Sequence, residues 1–193
     1  TREFAQELID CIWVKLNDLN KCREPICIGC GQCILNCPTG ALIPKYEYRD
    51  VKNIIDLNEK IVVALISPAV RVSIGEMFEM ESGVNCEKKL VSALKKLGFD
   101  YVFDTAFGAD LTILEEVAEF AERLKNKDRL PQFTSCCPAW VKYAEVYHPE
   151  ILEHVSSCKS PIGMQCAIIK NYFTEKKGFE PSKIVTVAIT PCT

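Results

Sequence analysis

Four thiols crowd one short stretch of this chain: Cys27, Cys30, Cys33 and Cys37, the last followed by Pro38. Two-residue gaps, with Gly29 and Gly31 relaxing the backbone between them, let three thiolates turn toward one point. A segment built this way organises around something bound rather than around an apolar core. The chain has 12 cysteines against two histidines in 193 residues. A small secreted protein would spend such cysteines on disulfides. This chain is too long and too helical in pattern for that, and its start, "TREFAQELIDCIW", lacks the basic-then-apolar layout of a signal peptide. We expect an intracellular, cytoplasmic protein whose cysteines are metal ligands or catalytic groups.

The run Cys27-x-x-Cys30-x-x-Cys33-x-x-x-Cys37-Pro38 matches the bacterial ferredoxin pattern for a cubane 4Fe–4S cluster. In two-cluster ferredoxins the fourth cysteine of such a run serves the other cluster. A second complete run is absent, so Cys37 has only Cys11 and Cys22 near it in sequence. Either an upstream segment supplies the partner cluster, or one of those two completes a single cluster. A zinc knuckle is the competing reading, although zinc sites usually use two separated pairs.

The formal net charge of −3 gives no reason to expect nucleic acid or an anionic membrane as partner. No apolar run approaches the roughly 20 residues of a membrane span.

The organisation changes near residue 58. Residues 1–58 read as an α+β ferredoxin-like module: a helix over Phe4–Leu19, the cysteine run, and a short helix at Gly31–Asn36. Residues 59–193 read as an α/β lobe with a four-stranded, mainly parallel sheet flanked by helices. The expected strands are Ile61–Ile66, Tyr101–Phe103, Pro131–Ser135 and Lys183–Ile189. The expected helices are Cys86–Leu97, Leu111–Leu124, Pro138–Tyr147 and Ser160–Lys176, with a helical turn at Pro149–His154. In open parallel sheets ligands bind beyond the carboxyl ends of the strands. There this order places Pro68, Ala69, Cys137 and Cys192.

Four more cysteines, Cys136, Cys137, Cys158 and Cys192, fall late in the chain. Cys136 and Cys137 are adjacent and cannot form an unstrained disulfide. At a strand-to-helix turn they face different partners, so one can hold metal while the other stays a titratable thiol beside it. On the Leu111–Leu124 helix the apolar stripe is Ile113, Leu114, Val117, Phe120, Ala121 and Leu124. Glu116 falls on its flank and Glu119 points further out, three residues on. Read alone, they are two solvated glutamates, and Ser156-Ser157 caps a turn.

"FTSCCPAWVKYAE", "HPEILEHVSSCKSP" and "ITPCT" together resemble the first and second signature segments of the [FeFe]-hydrogenase catalytic domain. "LISPAVRVSIGEMF" and "LGFDYVFDTAFGADLTILEEVAEFAERL" resemble the same family, and "CIGCGQCILNCPTGAL" its accessory cluster module. The resemblance runs from about Cys22 to the end. It implies an H-cluster, a cubane joined by a cysteine to a two-iron unit carrying CO, cyanide and a dithiolate bridge. It implies reversible reduction of protons to hydrogen, with electrons entering through the Cys27–Cys37 cluster from a ferredoxin or other redox carrier. By the same resemblance Cys137 and Cys192 are two ligands of the H-cluster cubane. Cys136 passes protons to the bridge amine, and Glu116, Ser156 and Glu119 continue the path. Pro68 and Ala69 border the two-iron unit, Ala69 standing where many relatives have a serine.

The family's third segment, with its remaining two cysteine ligands, does not occur before Thr193. The resemblance therefore implies a piece of a longer protein, its missing ligands supplied by a remaining C-terminal portion or by another chain. A four-thiol site of Cys136, Cys137, Cys158 and Cys192 is the alternative. Cys158 is either an inert thiol or a spare sulfur beside the site. Cys11, Cys86 and Cys166 read as structural thiols, and His148 and His154 as surface or turn residues. Two other functions stay open: a non-catalytic relative (a hydrogen sensor, or an iron–sulfur assembly protein of the nuclear-prelamin-binding type), and a ferredoxin-type electron carrier with an unrelated α/β partner.

Overall fold

The computed structural model describes residues 27–44 and 47–191. The helix expected over Phe4–Leu19, Cys11, Cys22 and Cys192 lie outside them. The chain divides into two compact units, described separately. One holds, of the described residues, 27–44 and 137–155; the other holds 47–136 and 156–191.

In the first unit the cysteine run carries one short helix, α1 (Gln32–Leu35), entered through Gly31 in the left-handed region at φ 72°. Elsewhere in this unit lie the helix Pro138–Tyr147 and the 3-10 turn Pro149–His154. Pro138 and Pro149 each sit at the first helical turn, where a missing N–H costs nothing.

The second unit is the α/β lobe. Helix α2 (Tyr48–Leu57) leads into β1 (Ile61–Ile66). Helix α3 (Pro68–Ser73) follows, then α4 (Glu87–Leu97), β2 (Tyr101–Asp104) and α5 (Ala106–Asn126). With Pro138–Tyr147 taken as α6, the lobe resumes at α7 (Pro161–Ile168). A π turn (Ile169–Phe173) joins α7 to α8 (Thr174–Lys177), and β3 (Ile184–Ile189) ends the described sheet.

Among the described residues the sheet has three parallel strands in the order β2–β1–β3. β1 is central, which explains why "IVVALI" is apolar without alternation: both faces are covered. Val62, Ala64 and Ile66 pack with Leu90, Leu94 and Phe99 on one side, and Val63 and Leu65 with Ile169 and Ile184 on the other. Val62, Val63, Leu65 and Ile66 are the largest fully buried side chains, and each such burial contributes about 1.5–3 kcal/mol. α4 ends at Gly98, whose φ of 106° a side chain would resist.

Two expectations are corrected here. Pro131–Ser135 is not a fourth strand, since only Phe133 makes an isolated bridge. Two of its hydrogen bonds go to a loop: Ser156 N donates to Phe133 O at 2.7 Å, and Ser135 Oγ to Cys158 O at 2.7 Å. Helix α5 is also turned the other way from its apolar stripe. Ile113, Leu114, Val117, Phe120 and Leu124 are exposed, while Gly108, Thr112 and Arg123 are buried. The small residues decide this. A Cβ at Gly108 would collide with the Pro161 carbonyl oxygen, so only glycine lets α5 approach α7 there. Thr112 Oγ1 then reaches Gly108 O at 3.0 Å and Lys159 O at 3.4 Å.

Candidate functional site

Helix α5 starts at the carboxyl rim of the sheet. Thr105 N donates to Ile66 O at 2.9 Å, and Asp104 Oδ1 accepts from Ala106 N at 2.7 Å. Asp104 is also paired with Arg71 of α3, which ties the ends of β2 and α3 together. From this anchor Gly108, Thr112, Glu116, Glu119 and Arg123 recur on successive turns of one face.

Glu119 is the hub of that face. Arg123 Nη2 donates to Glu119 Oε1 at 2.6 Å, one turn along the helix. From the loop before α7, Ser156 Oγ donates to Glu119 Oε2 at 2.7 Å and Ser157 N at 3.2 Å. The Cys158 thiol lies 3.8 Å from the same oxygen, and Cys158 N donates to Ser156 Oγ at 3.2 Å. Burial pushes the Glu119 carboxyl up. The Ser156 hydrogen bond, the Arg123 hydrogen bond and charge, and the Ser157 N–H outweigh burial and hold it below the usual carboxylate range. Ser156 is buried, as is Arg123, whose Nη1 also donates to Arg129 O at 3.3 Å. Sequence reasoning passed over Arg123. The signal was there: an acid and a base four residues apart on one helix.

Glu116 is half-buried one turn back. Its Oε1 is buried without a hydrogen-bond partner among the described residues. The Gln132 amide donates to the Glu116 backbone carbonyl at 3.4 Å, and Gln132 Oε1 is likewise buried and unpartnered. Ser156 and Glu119 are thus brought together. Among the described residues no hydrogen bond joins the Glu116 carboxyl to Ser156 or Cys136.

Pro68 and Ala69 are exposed at the start of α3, just past the end of β1. Cys136 is an exposed thiol two residues beyond Thr134, in the lobe. Cys137, also exposed, belongs to the other unit, where its carbonyl accepts from Val141 N at 3.1 Å to open α6.

In that unit Cys27, Cys30 and Cys33 are exposed and Cys37 is half-buried. Gly29 and Gly31 both adopt left-handed φ, 71° and 72°, between the first three thiols. The Thr39 hydroxyl, followed by backbone N–H groups, lowers the Cys37 thiol to about 7, toward the thiolate that ligates metal. Among the described residues no three cysteine, histidine or carboxylate side chains already converge as a metal cage. The donor set, four accessible thiols with glycine between them, is the chemistry an iron–sulfur cluster takes.

Residues 60–193 match the family described as iron only hydrogenase large subunit, C-terminal domain, and residues 25–43 match the 4Fe-4S binding domain. The periplasmic [Fe] hydrogenase large subunit of Nitratidesulfovibrio vulgaris is 46% identical over 203 residues, covering 88% of this chain and 48% of that one. Cytosolic iron-sulfur assembly component 3 of Rattus norvegicus is 32% identical over 191 residues, covering 93% of this chain and 38% of that one. An apo [FeFe]-hydrogenase variant from Chlamydomonas reinhardtii superposes with a TM-score of 0.72 at 43% identity, covering 76% of this chain and 38% of the other. The chain spans less than half the length of these relatives. The cofactors these matches support are a 4Fe–4S cluster and, in the complete protein, the H-cluster. With a family match covering residues 60–193 and relatives of this likeness, the chain belongs to the iron-only hydrogenase large-subunit family.

Proposed function

We propose that this chain is the cluster module (residues 1–58) and first catalytic lobe (residues 59–193) of an [FeFe]-hydrogenase that interconverts protons, electrons and hydrogen. Cys27, Cys30, Cys33 and Cys37 hold a 4Fe–4S cluster, and Cys137 and Cys192 are two ligands of the H-cluster cubane. When bound, the H-cluster would supply the chemistry that makes and breaks the H–H bond. Pro68 and Ala69 line its two-iron unit. A remaining C-terminal portion or another chain completes the ligand set. A ferredoxin or other redox carrier delivers the electrons. Among the described residues no helix is long and apolar enough to cross a membrane. We place the protein in the cytoplasm.

The observation that carries the reading is the Arg123–Glu119–Ser156 chain, with links of 2.6 Å and 2.7 Å. A serine hydroxyl both donates and accepts, so it can receive a proton on one side while releasing one on the other. As drawn, the Ser156 proton points to Glu119. Inward transfer requires Glu119 to take a proton from water, the hydroxyl to rotate, and the next acceptor, Glu116, to receive. Arg123 fixes the Glu119 carboxylate in reach of Ser156. Cys136 is the last thiol before the cluster.

The assembly-component relative, 32% identical, favours a second reading: an iron–sulfur assembly protein that keeps the fold without hydrogen chemistry. The two separate in the infrared. The full-length protein, matured with its cluster machinery, should show CO and cyanide bands and evolve hydrogen. An iron–sulfur protein without those bands is the assembly reading or an electron carrier.

A further inference from the structure

Glu116 and Gln132 share an anomaly. Each carries a buried side-chain oxygen with no hydrogen-bond partner among the described residues. Buried polar groups are almost always satisfied, so two orphans on residues already in contact ask for a joint explanation. The contact fixes the amide orientation: Gln132 Nε2 faces the Glu116 backbone carbonyl at 3.4 Å, and only the N–H end can donate there. Gln132 Oε1 is left as a pure acceptor beside Glu116. An ionised carboxylate is also acceptor-only and cannot use it. A protonated carboxyl has one O–H and can.

We infer that Gln132 is a positioning residue for Glu116, its side-chain oxygen accepting the hydrogen bond of the Glu116 carboxyl whenever that carboxyl carries a proton. This rests on the relay reading of Glu116. The amide then holds the loaded carboxyl in one orientation, so that Glu116 passes its proton on from a fixed position. The contact Gln132 makes is with Glu116. It acts through Glu116.

The test is infrared spectroscopy of the full-length, cluster-loaded protein at the acidic end of its stable range, where carboxyl groups are protonated. Glu116→Gln identifies the Glu116 acid carbonyl band by its loss. In the unmodified protein the band should sit at the frequency of a hydrogen-bonded acid. In Gln132→Met, which keeps an unbranched chain and removes the acceptor, it should move to that of a free acid. Turnover should fall several-fold with KM for the electron donor unchanged, and Gln132→Glu should not restore it at neutral pH. A free-acid frequency in the unmodified protein overturns the inference, whatever the variants do, and so does an unmoved band in Gln132→Met. Unchanged turnover in Glu116→Gln refutes the relay reading instead, leaving the band shift to decide the Gln132 contact by itself.

Discussion

Ser156 and Glu119, 37 positions apart in sequence, are joined by a hydroxyl-to-carboxylate hydrogen bond of 2.7 Å. It ties the loop before α7 to the outer half of α5, and with Arg123 and Ser157 N it favours the ionised form of Glu119. The folded-state affinity of Glu119 for a proton is depressed, so the folded chain binds that proton more weakly than the unfolded chain. The resulting stabilisation is present above the unfolded value of about 4.3 and is lost as pH falls through the folded value. Urea midpoints of the protein should decline on acidification below about pH 5, and Glu119→Gln should flatten that decline. An equally steep decline in Glu119→Gln would place the acid sensitivity elsewhere.

Arg123 is 4% exposed and its partner Glu119 19% exposed, so the pair is largely out of water. Removing one partner of such a pair strands the other. Arg123→Ala should destabilise the lobe by about 3 kcal/mol, more than an exposed ion pair such as Lys142–Glu145 is worth. Arg123→Lys should recover the charge but not the second contact to Arg129 O. Denaturant midpoints of the two variants and the unmodified protein rank these contributions, and a near-neutral Arg123→Ala contradicts the assignment.

At Gly108 helix α5 lies directly against the start of α7. An added methyl meets backbone, the Pro161 carbonyl, which cannot swing aside as a side-chain tip can. Gly108→Ala should cost about 1–3 kcal/mol despite alanine's better helix propensity. Glu115→Ala, at an exposed α5 position, should be near neutral. Thermal unfolding of both variants makes the comparison.

How far these features were legible in the sequence follows from what fixed each one. β1 was read at its observed bounds because a strand covered on both faces needs an unbroken apolar run, and "IVVALI" has no other use. α6 was read at its observed bounds because proline marks its start and Pro149 limits its end. Pro131–Ser135 misled because an extended, partly apolar stretch looks the same whether its backbone pairs with a sheet or with a loop. Its partners, Ser156 and Cys158, lie over 20 residues away and leave no local signal. The orientation of α5 misled for a different reason. Periodicity marks the apolar stripe, yet the face turned inward is set by Gly108 and by a buried Glu–Arg–Ser network. Neither raises the hydrophobicity of its own face. The cysteine run was legible as cluster chemistry because ligand spacing is local. The position of Cys136 relative to Glu116 depends on tertiary structure and was not.

Loss of a run cysteine should act on iron and not on the lobe. Cys33 is exposed and takes no part in either core cluster. Cys33→Ala should therefore lower bound iron by about four atoms per chain, while the unfolding midpoint of the lobe stays in place. Iron assay and anaerobic visible absorbance, read beside a denaturant titration, separate the two effects. Unchanged iron would remove Cys33 from the ligand set.

Cys136→Ala tests the inner end of the proton path. The thiol is exposed and makes no packing contribution to the lobe's core, so the substitution has little structural cost. If Cys136 passes protons to the H-cluster, turnover of the matured full-length protein should fall at least a hundredfold, the scale of losing a general acid–base group. Iron content and the CO and cyanide bands should persist, since the neighbouring Cys137 carries the ligand role. Cys136→Ser should recover little, because a hydroxyl exchanges protons far less readily than a thiol at neutral pH. Loss of the CO and cyanide bands along with turnover would make Cys136 a ligand, and full activity with intact bands would remove it from the path.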